Sequence, residues 1–398
     1  MRIVLITSKL RFEENGAPIG GSVVDLHLKA KGLAELGHEV TVVTAFSEMN
    51  RLFSPLPYRV AERRIYGRGL MALQRGVYAL LKEFEESADV FYIDGHMFLY
   101  GGGAYRAFGG VKPVVAFFNV RLNLWADVSM KVVRLSLFRR LKKLARYALE
   151  RFVGVPLTRH LDAFVFNTPQ LMRLYHDFGF AKGRTEAVIE DFVDTAMLSE
   201  RYCVTPERIE AKQRERGAVR ILATGRMIPE KGFELVIRAL ARLPRKERYS
   251  LTLSGGGPEK ARLENLVQTL GLQSQVSFPG WIPAAELREL FARSHVFVFP
   301  KWWLEYGSAV LTEAMAFGLP LVVPQGGALE WLSGRAALAF PCDDADALAR
   351  QIEALGEDAP LRIALAKRAL ARAAALDARL LAKRLETVLR SCARVGYR

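Results

Sequence analysis

The chain has 398 residues, of which 51% are hydrophobic and 25% charged, and its formal net charge is +15 at pH 7. This length is typical of two domains, and this composition excludes a disordered chain. The positive charge is concentrated, because residues 120–160 contain ten Lys and Arg against two Asp and Glu. We therefore expect a partner of negative charge there: anionic lipid, a phosphorylated acceptor or nucleic acid.

The sequence also indicates a cellular compartment. No apolar run reaches the length of a transmembrane helix, and the first residues follow a strand pattern without the features of a signal peptide. The three cysteines, Cys203, Cys342 and Cys392, are widely spaced and give no metal-ligand pattern. We therefore expect a cytoplasmic protein without a metal site.

The first half of the chain predicts a parallel α/β domain. Residues 2–7 form an apolar run typical of a buried parallel strand. A loop with Gly20 and Gly21 follows, then a helix over 22–36 and a strand over 39–44, which together make a βαβ unit. The glycine pair would let the backbone approach a phosphate, although a plain flexible loop is an equal alternative.

Polar side chains follow the later strands of this half, which we place over 89–94, 112–119 and 161–168. Open α/β sheets bind ligands at the carboxyl ends of their strands. The polar residues at these ends are Asp94, His96, Asn119 and Asn167. Each is a candidate ligand contact, with an ordinary loop residue or helix cap as the alternative. We place the last strand of this domain over 188–194.

The basic segment predicts an amphipathic helix over 130–152. Its apolar stripe comprises Val133, Leu137, Leu141, Leu144, Ala148 and Phe152. Its cations are Lys131, Arg134, Arg139, Arg140, Lys142, Lys143 and Arg146. Such a helix can lie on an anionic membrane surface, and a core-packed helix with a solvated basic face is the alternative. Nucleic-acid binding is disfavoured because no recognition motif accompanies the charge.

The second half repeats the α/β alternation after a polar segment over 199–217 that we interpret as the linker. A strand over 219–224 runs into a basic loop that contains Arg226 and Lys231, and a helix over 233–243 follows. Two cations on a short loop at a helix start form a clamp for a diphosphate, with two ordinary surface cations as the alternative.

The most informative stretch carries two carboxylates, Glu305 and Glu313, eight positions apart. If a helix begins at the turn of Tyr306 and Gly307, both lie on nearly the same helix face. The free N–H groups at that helix start would bind an anion, and the flanking acids could accept sugar hydroxyls. Two ordinary surface acids on an amphipathic helix are the alternative.

In order and spacing, these segments resemble the retaining GT-B glycosyltransferases of family four. The resemblance rests on the glycine pair, on Gly225–Gly232, on Gly255–Pro258, on 278–281 and on Glu305 through Pro320. It implies two Rossmann-like, doubly wound α/β domains that face a cleft. The implied boundaries are 1–195 for the acceptor-side domain, 196–375 for the nucleotide-sugar domain and 376–398 for a C-terminal helix returning to the first domain.

The resemblance also implies roles for individual residues. Arg226 and Lys231 would bind the diphosphate of a nucleotide-sugar donor, Glu313 the ribose and Glu305 the sugar near the reacting carbon. The implied donor-binding set is Gly20, Gly21, Arg226, Lys231, Gly255, Trp281, Ile282, Glu305, Tyr306, Gly307, Ser308, Ala309 and Glu313. The catalytic candidates are Glu305, Asn119, Asp94 and His96. The family generally needs no metal, and retention is described as front-face transfer assisted by the leaving phosphate.

The sequence departs from the family at two positions. Asn119 stands where many relatives carry His, and Tyr306-Gly307 replaces part of the commoner Glu-x-Phe-Gly pattern. The expected function is transfer to a membrane glycolipid, lipopolysaccharide or polysaccharide precursor by a cytoplasmic, peripherally membrane-associated enzyme. The alternatives are a soluble transferase acting on a small or storage-sugar acceptor, a nucleotide-sugar epimerase, and an inactive nucleotide-sugar-binding protein.

Overall fold

The computed structural model describes residues 1–67, 69–120, 137–180, 184–300 and 305–395, with the side chains of 137–140 and 395 left aside. The chain divides into two compact units. The first unit comprises Met1–Glu190 and Leu381–Arg398, and the second unit comprises Asp191–Leu380.

The first unit contains a seven-stranded parallel sheet in the order β3-β2-β1-β4-β5-β6-β7. Its strands are β1 (Arg2–Thr7), β2 (Glu39–Thr44), β3 (Arg59–Glu62), β4 (Val90–Asp94), β5 (Val114–Phe118), β6 (Ala163–Phe166) and β7 (Thr185–Val188). Its helices are α1 (Gly21–Glu35), α2 (Leu70–Glu83), α3 (Leu99–Ala107), α4 (Leu137–Leu149), α5 (Val155–Thr158) and α6 (Pro169–Asp177). Strands β4, β5 and β6 are buried along their whole length, as expected of a sheet covered on both faces.

The second unit contains a six-stranded parallel sheet in the order β10-β9-β8-β11-β12-β13. Its strands are β8 (Val219–Thr224), β9 (Tyr249–Ser254), β10 (Val276–Gly280), β11 (Val296–Val298), β12 (Leu321–Pro324) and β13 (Ala337–Phe340). Its helices are α7 (Thr195–Tyr202), α8 (Pro206–Gln213), α9 (Phe233–Ala241), α10 (Lys260–Thr269), α11 (Ala284–Arg293), α12 (Ala309–Ala316), α13 (Ala328–Ser333), α14 (Ala345–Glu357) and α15 (Ala359–Ala375).

Both sheets reverse their strand order once, between β1 and β4 and between β8 and β11. At such a switch point two neighbouring loops leave the sheet in opposite directions and open a crevice. The prediction of two doubly wound α/β domains is therefore confirmed. The loops that border these crevices are those that follow β1, β4, β8 and β11.

The last helix, α16 (Ala378–Val395), starts in the second unit and continues in the first. Within the first unit, Glu386 Oε1 lies 3.0 Å from His38 Nε2. Arg384 donates to the carboxylate of Glu190 at 3.1 Å and to the carbonyl of Val188 at 2.7 Å. These bonds hold the helix to the end of β7 and to the residues that follow it.

Two predictions about the region between the sheets are wrong. The last strand of the first unit lies at Thr185–Val188, because the ladder with β6 ends there, and not over 188–194. The segment over 199–217 is not a linker, because it contains the end of α7 and all of α8. Each helix begins after an N-cap residue. The side chain of Asp194 accepts from the N–H of Met197, and that of Thr205 accepts from the N–H of Arg208.

Candidate active site

The loops after β8 and β9 pack against each other through their backbones. The N–H of Gly225 donates to the carbonyl of Ser254 at 3.0 Å, and the N–H of Met227 donates to Gly256 at 2.8 Å. Gly255 has φ +130°, and a Cβ there would lie 1.9 Å from the carbonyl oxygen of Gly225. Only glycine fits this approach, so the basic loop is held in one shape by its neighbour.

The basic loop meets the start of the glutamate stretch. Lys231 Nζ lies 2.5 Å from Glu305 Oε1, and the two side chains are 23% and 27% exposed. The same ammonium stands 5.5 Å from the ring centroid of Phe299, just beyond β11. A cation and a carboxylate predicted from distant parts of the sequence therefore lie together at the switch point of the second sheet.

Arg226, the other cation of this loop, is exposed. No hydrogen bond or ion pair engages its guanidinium within the described part of the chain. It can therefore bind a phosphate without first losing a protein partner.

Helix α12 begins at Ala309, so the expected start at the Tyr306-Gly307 turn is wrong. Ser308 has an extended backbone, and its hydroxyl accepts from the N–H of Leu311 at 3.2 Å, so Ser308 is the N-cap at which the helix begins. Glu305 therefore precedes the helix, and the two glutamates do not share a helix face. Glu305, Tyr306, Gly307, Ser308 and Ala309 are all half-buried ahead of or at this helix start, whose first N–H groups lack intrahelical partners.

Glu313 is held by a residue that the sequence did not indicate. Arg288 of α11 donates to Glu313 Oε1 from Nε at 3.1 Å and from Nη2 at 2.9 Å. The side chains are 12% and 16% exposed. Burial opposes the positive charge of Arg288, but the carboxylate of Glu313 more than compensates and raises the pKa of Arg288. The pair fixes the direction of the Glu313 carboxylate.

Trp281 and Ile282 follow β10 at the same edge of the sheet. Trp281 is 63% exposed, and Ile282 is half-buried. The N–H of Gly255 donates to the carbonyl of Gly280 at 2.7 Å and so ties this turn to the loop after β9. The structure thus brings Arg226, Gly255 and Trp281 to neighbouring strand ends.

In the first unit, α1 begins at Gly21 with Gly20 as its cap residue, and both are exposed. Asp94 ends β4, the strand beside β1, and accepts from the hydroxyl of Thr7 at 3.2 Å. Burial raises the pKa of Asp94 to about 6, against the attraction of the buried Lys29 ammonium. Its Oδ1 has no hydrogen-bond partner among the described residues.

Beside Asp94 lies a buried ion pair that the sequence analysis missed. Lys29 binds Asp25 one helical turn away, and its ammonium lies 3.2 Å from the ring centroid of Phe117. Both charged side chains are buried in the face of α1 turned to the sheet. An Asp and a Lys four positions apart within an apolar stripe would have been the available signal.

The other first-unit candidates differ in environment. Burial, and then the charge of Arg146, lower the pKa of the half-buried His96, which favours its neutral form. Asn119 is half-buried just after β5. Asn167, after β6, is 1% exposed, and neither polar atom of its amide has a partner among the described residues. The roles assigned to all these side chains stay predictions.

The basic helix is only partly described. Lys131 and Arg134 lie outside the described residues, and Arg139 and Arg140 lie on α4 without described side chains. Lys142 and Arg146 are exposed and Lys143 is half-buried. The apolar residues Leu141, Leu144 and Phe152 are exposed as well, which contradicts the alternative of a core-packed stripe for this part of the helix.

The described residues contain no group of three His, Cys, Asp or Glu side chains that could hold a metal ion. None of their helices combines the length and the apolar character needed to span a bilayer.

Two protein-family models match the chain. The model described as Glycosyltransferase Family 4 matches residues 19–196. The model described as Glycosyl transferases group 1 matches residues 205–372. Together the two matches cover most of both units.

Individual relatives agree with these models. Over 212 residues the chain is 32% identical to the lipopolysaccharide core biosynthesis glycosyltransferase LpsE of Rhizobium meliloti. This match covers 53% of this chain and 58% of LpsE. Over 360 residues it is 26% identical to mannosylfructose-phosphate synthase of Agrobacterium fabrum, which covers 83% of this chain and 77% of that protein. The chain thus spans little more than half the length of LpsE.

Solved structures show the same fold. HepE of Anabaena, in complex with UDP, matches with a TM-score of 0.74 at 19% identity, over 98% of this chain and 100% of that one. At that identity the likeness concerns the fold alone. With a family model on each unit and this fold throughout, the chain belongs to the group 1 glycosyltransferases and has the two-domain GT-B fold.

Proposed function

We propose that this protein transfers a sugar, with retention of configuration, from a nucleoside diphosphate sugar to a hydroxyl of a lipid-linked or polysaccharide acceptor. The observation that carries the proposal is the contact of Lys231 with Glu305 at 2.5 Å. This contact supports the proposal because it brings a cation that could bind phosphate and a carboxylate that could accept sugar hydroxyls to one switch point, which is where doubly wound sheets bind ligands.

The donor would bind to the second unit. Arg226, Lys231 and the start of α12 would hold the diphosphate, and Glu313, oriented by Arg288, would accept the ribose hydroxyls. As the sugar leaves, negative charge grows on the diphosphate. Fixed cations and helix N–H groups stabilise that charge in the transition state, so the site requires no metal ion for this step.

Retention would follow from the leaving group acting as the base. In front-face transfer, a phosphate oxygen of the departing diphosphate takes the acceptor proton. Of the first-unit candidates, Asn119 cannot titrate and therefore cannot be a base. With the departing diphosphate as the base, Asn119, His96 and Asp94 would orient hydroxyls by hydrogen bonds.

Two observations support an acceptor at a membrane. The described part of α4 exposes both Leu and basic side chains, as a helix on an anionic surface does. LpsE, a relative, is named for lipopolysaccharide core biosynthesis. We therefore place the protein peripherally on the cytoplasmic face of a membrane. Flotation with anionic vesicles at low and high salt tests this, and an absence of salt-sensitive binding would refute it.

A soluble acceptor is the second candidate. It is favoured by the likeness to mannosylfructose-phosphate synthase, which covers more of the chain than the match to LpsE. Transfer to small sugar phosphates in the absence of vesicles, with no gain when lipid acceptors are added, would favour this candidate.

The donor site is tested by a thermal-shift screen of UDP, GDP, ADP and their sugars. A ligand at 100 times its Kd stabilises the native state by about 2.7 kcal/mol. We expect one nucleotide series to stabilise the protein and Arg226→Ala to abolish most of the shift. Arg216→Ala is the matched control, because Arg216 is exposed just before β8, at the opposite end of the strand.

The outcomes separate the alternatives. If no nucleotide shifts the unfolding temperature, the donor site is wrong. If a nucleotide sugar binds but is neither hydrolysed nor transferred, the protein is a nucleotide-sugar-binding protein without activity. If the product has the inverted anomeric configuration by NMR, retention is wrong while transfer stands.

A further inference from the structure

The first unit contains an apolar pocket of about 320 Å³ on the side where α4 lies. It is enclosed by α2, by α3 and by the π-helical turn Glu150–Gly154 that continues α4. π-helical turns occur frequently at functional sites. The apolar walls come from Leu70, Met71, Ala104, Phe108, Leu149 and Val153.

The buried polar side chains in the pocket wall already have protein partners. Gln74 donates to the carbonyl of Met97 and accepts from the N–H of Gly101, both at 2.7 Å. The hydroxyl of Tyr100 donates to one carboxylate oxygen of Glu150 at 3.1 Å, and Arg146 donates to the other at 2.8 Å. A polar occupant would lose its hydrogen bonds to water without equivalent replacement, so the pocket favours a hydrocarbon.

The mouth of the pocket combines exposed apolar and cationic side chains. Phe108, which lines the pocket, is 69% exposed, which is unusual for a side chain of this size. Phe152 does not line the pocket, but it precedes the lining residue Val153 in the π-helical turn and is 75% exposed. Arg75 is exposed and belongs to the pocket lining. Lys142 precedes Leu149 by two helical turns and so lies on nearly the same face of α4. A chain in the pocket would therefore have Arg75 beside its exposed end, with Lys142 two helical turns further along α4.

We propose that this pocket binds the acyl or isoprenoid chain of a phosphate-bearing lipid. Apolar walls match the chain, and the cations at the mouth match the phosphate. That the lipid is the sugar acceptor rests on the proposed function, whereas binding of the chain does not. The pocket would then hold the acceptor lipid by its tail.

The first test measures the binding of alkyl phosphates with chains of 8 to 16 carbons to the full chain by calorimetry, below micelle formation. We expect the affinity to rise about fourfold per added methylene and then to level off once the pocket is full. Alkyl glucosides of the same length should bind more weakly, and high salt should remove the difference. An affinity independent of chain length would overturn the proposal.

The second test fills the pocket. Ala104→Phe places a ring in the cavity and should weaken the binding of hexadecyl phosphate at least tenfold. Ala79→Phe is the matched control, because Ala79 is exposed on α2 outside the pocket lining and should bind as the wild type does. If Ala104→Phe fails to fold, Leu149→Asn serves, since Leu149 lies at the partly exposed rim. Wild-type affinity in the folded variant would overturn the proposal.

Two further measurements keep this inference separate from the proposed function. Nucleotide binding concerns the second unit, so UDP or GDP binding without alkyl phosphate binding refutes the pocket assignment alone. Alkyl phosphate binding without any nucleotide binding supports the pocket and refutes the donor site. Equal flotation of wild type and Ala104→Phe with anionic vesicles, together with no alkyl phosphate binding, would show a flat membrane-contact face and overturn the pocket.

Discussion

Replacing Asp94 by Asn should change how stability depends on pH. Burial raises the pKa of Asp94 to about 6 from its ordinary value of 3.8, although Lys29 attracts the charged form. Between these two values the native state binds more protons than the unfolded state, so stability is lost as the pH rises through the window. The difference between the two pKa values corresponds to roughly 3 kcal/mol of stability.

Asparagine cannot ionise, and its carbonyl can still accept from the hydroxyl of Thr7. The stability of Asp94→Asn relative to the wild type should therefore improve by about 3 kcal/mol between pH 3.5 and pH 7.5. The absolute stability of Asp94→Asn also depends on the new amide NH₂, which takes the position of Oδ1. Asp94 Oδ1 has no hydrogen-bond partner among the described residues. An unsatisfied donor of this kind costs about 1–3 kcal/mol at every pH, so the pH dependence is the diagnostic quantity.

The assay is urea denaturation followed by tryptophan fluorescence at several pH values. Asp89→Asn is a control of opposite sign. Burial opposes the charge of Asp89, but bonds from the backbone and side chain of Arg2 prevail and lower its pKa. The stability that the Asp89 carboxylate contributes to the folded protein is therefore lost as the pH falls. A constant difference between Asp94→Asn and wild type across the range would show that Asp94 has an ordinary pKa.

Three further predictions concern the second unit. Lys231→Met should lower kcat by about 10²–10³-fold while changing the free energy of unfolding by less than about 1 kcal/mol, because its ion pair is partly exposed; equal losses in both would mean a structural role. Glu313→Gln, which can still accept from Arg288, should weaken nucleoside diphosphate binding about tenfold, and nucleotides without ribose hydroxyls should bind both forms equally. Gly255→Ala should lower the free energy of unfolding, measured by urea denaturation, by about 2 kcal/mol or more. Gly256→Ala, where a Cβ has open space, should lower it much less.

The strands and the glycine-bearing loops were predictable because their signals are local. An uninterrupted apolar run such as Arg2–Thr7 predicts a buried parallel strand wherever the rest of the chain goes. The edge strands β3 and β13 were not predicted, because four residues carry little periodicity. The start of α12 was predictable, since Ser308 is a favoured cap residue. The prediction relied instead on the spacing of the two glutamates and therefore placed the start at the preceding turn.

The partners of the site residues were not predictable, because they depend on the tertiary fold. Nothing near Glu313 in the sequence indicates Arg288, which lies 25 positions away on another helix. Lys29 could be placed on the buried face of α1, but its approach to Phe117 requires the packing of the helix on β5. Sequence patterns indicated the two carboxylates, and only the fold shows that Lys231 and Arg288 bind them.

The two ion pairs of the second unit differ in a way that matters for the proposed mechanism. Arg288 and Glu313 are 12% and 16% exposed and share two hydrogen bonds, so separating them would leave a charge poorly solvated. Lys231 and Glu305 are about twice as exposed and share one bond. A pair of that kind contributes at most about 1 kcal/mol. An incoming donor could therefore separate Lys231 from Glu305, give the lysine a phosphate and the glutamate a sugar hydroxyl, and leave Glu313 oriented throughout.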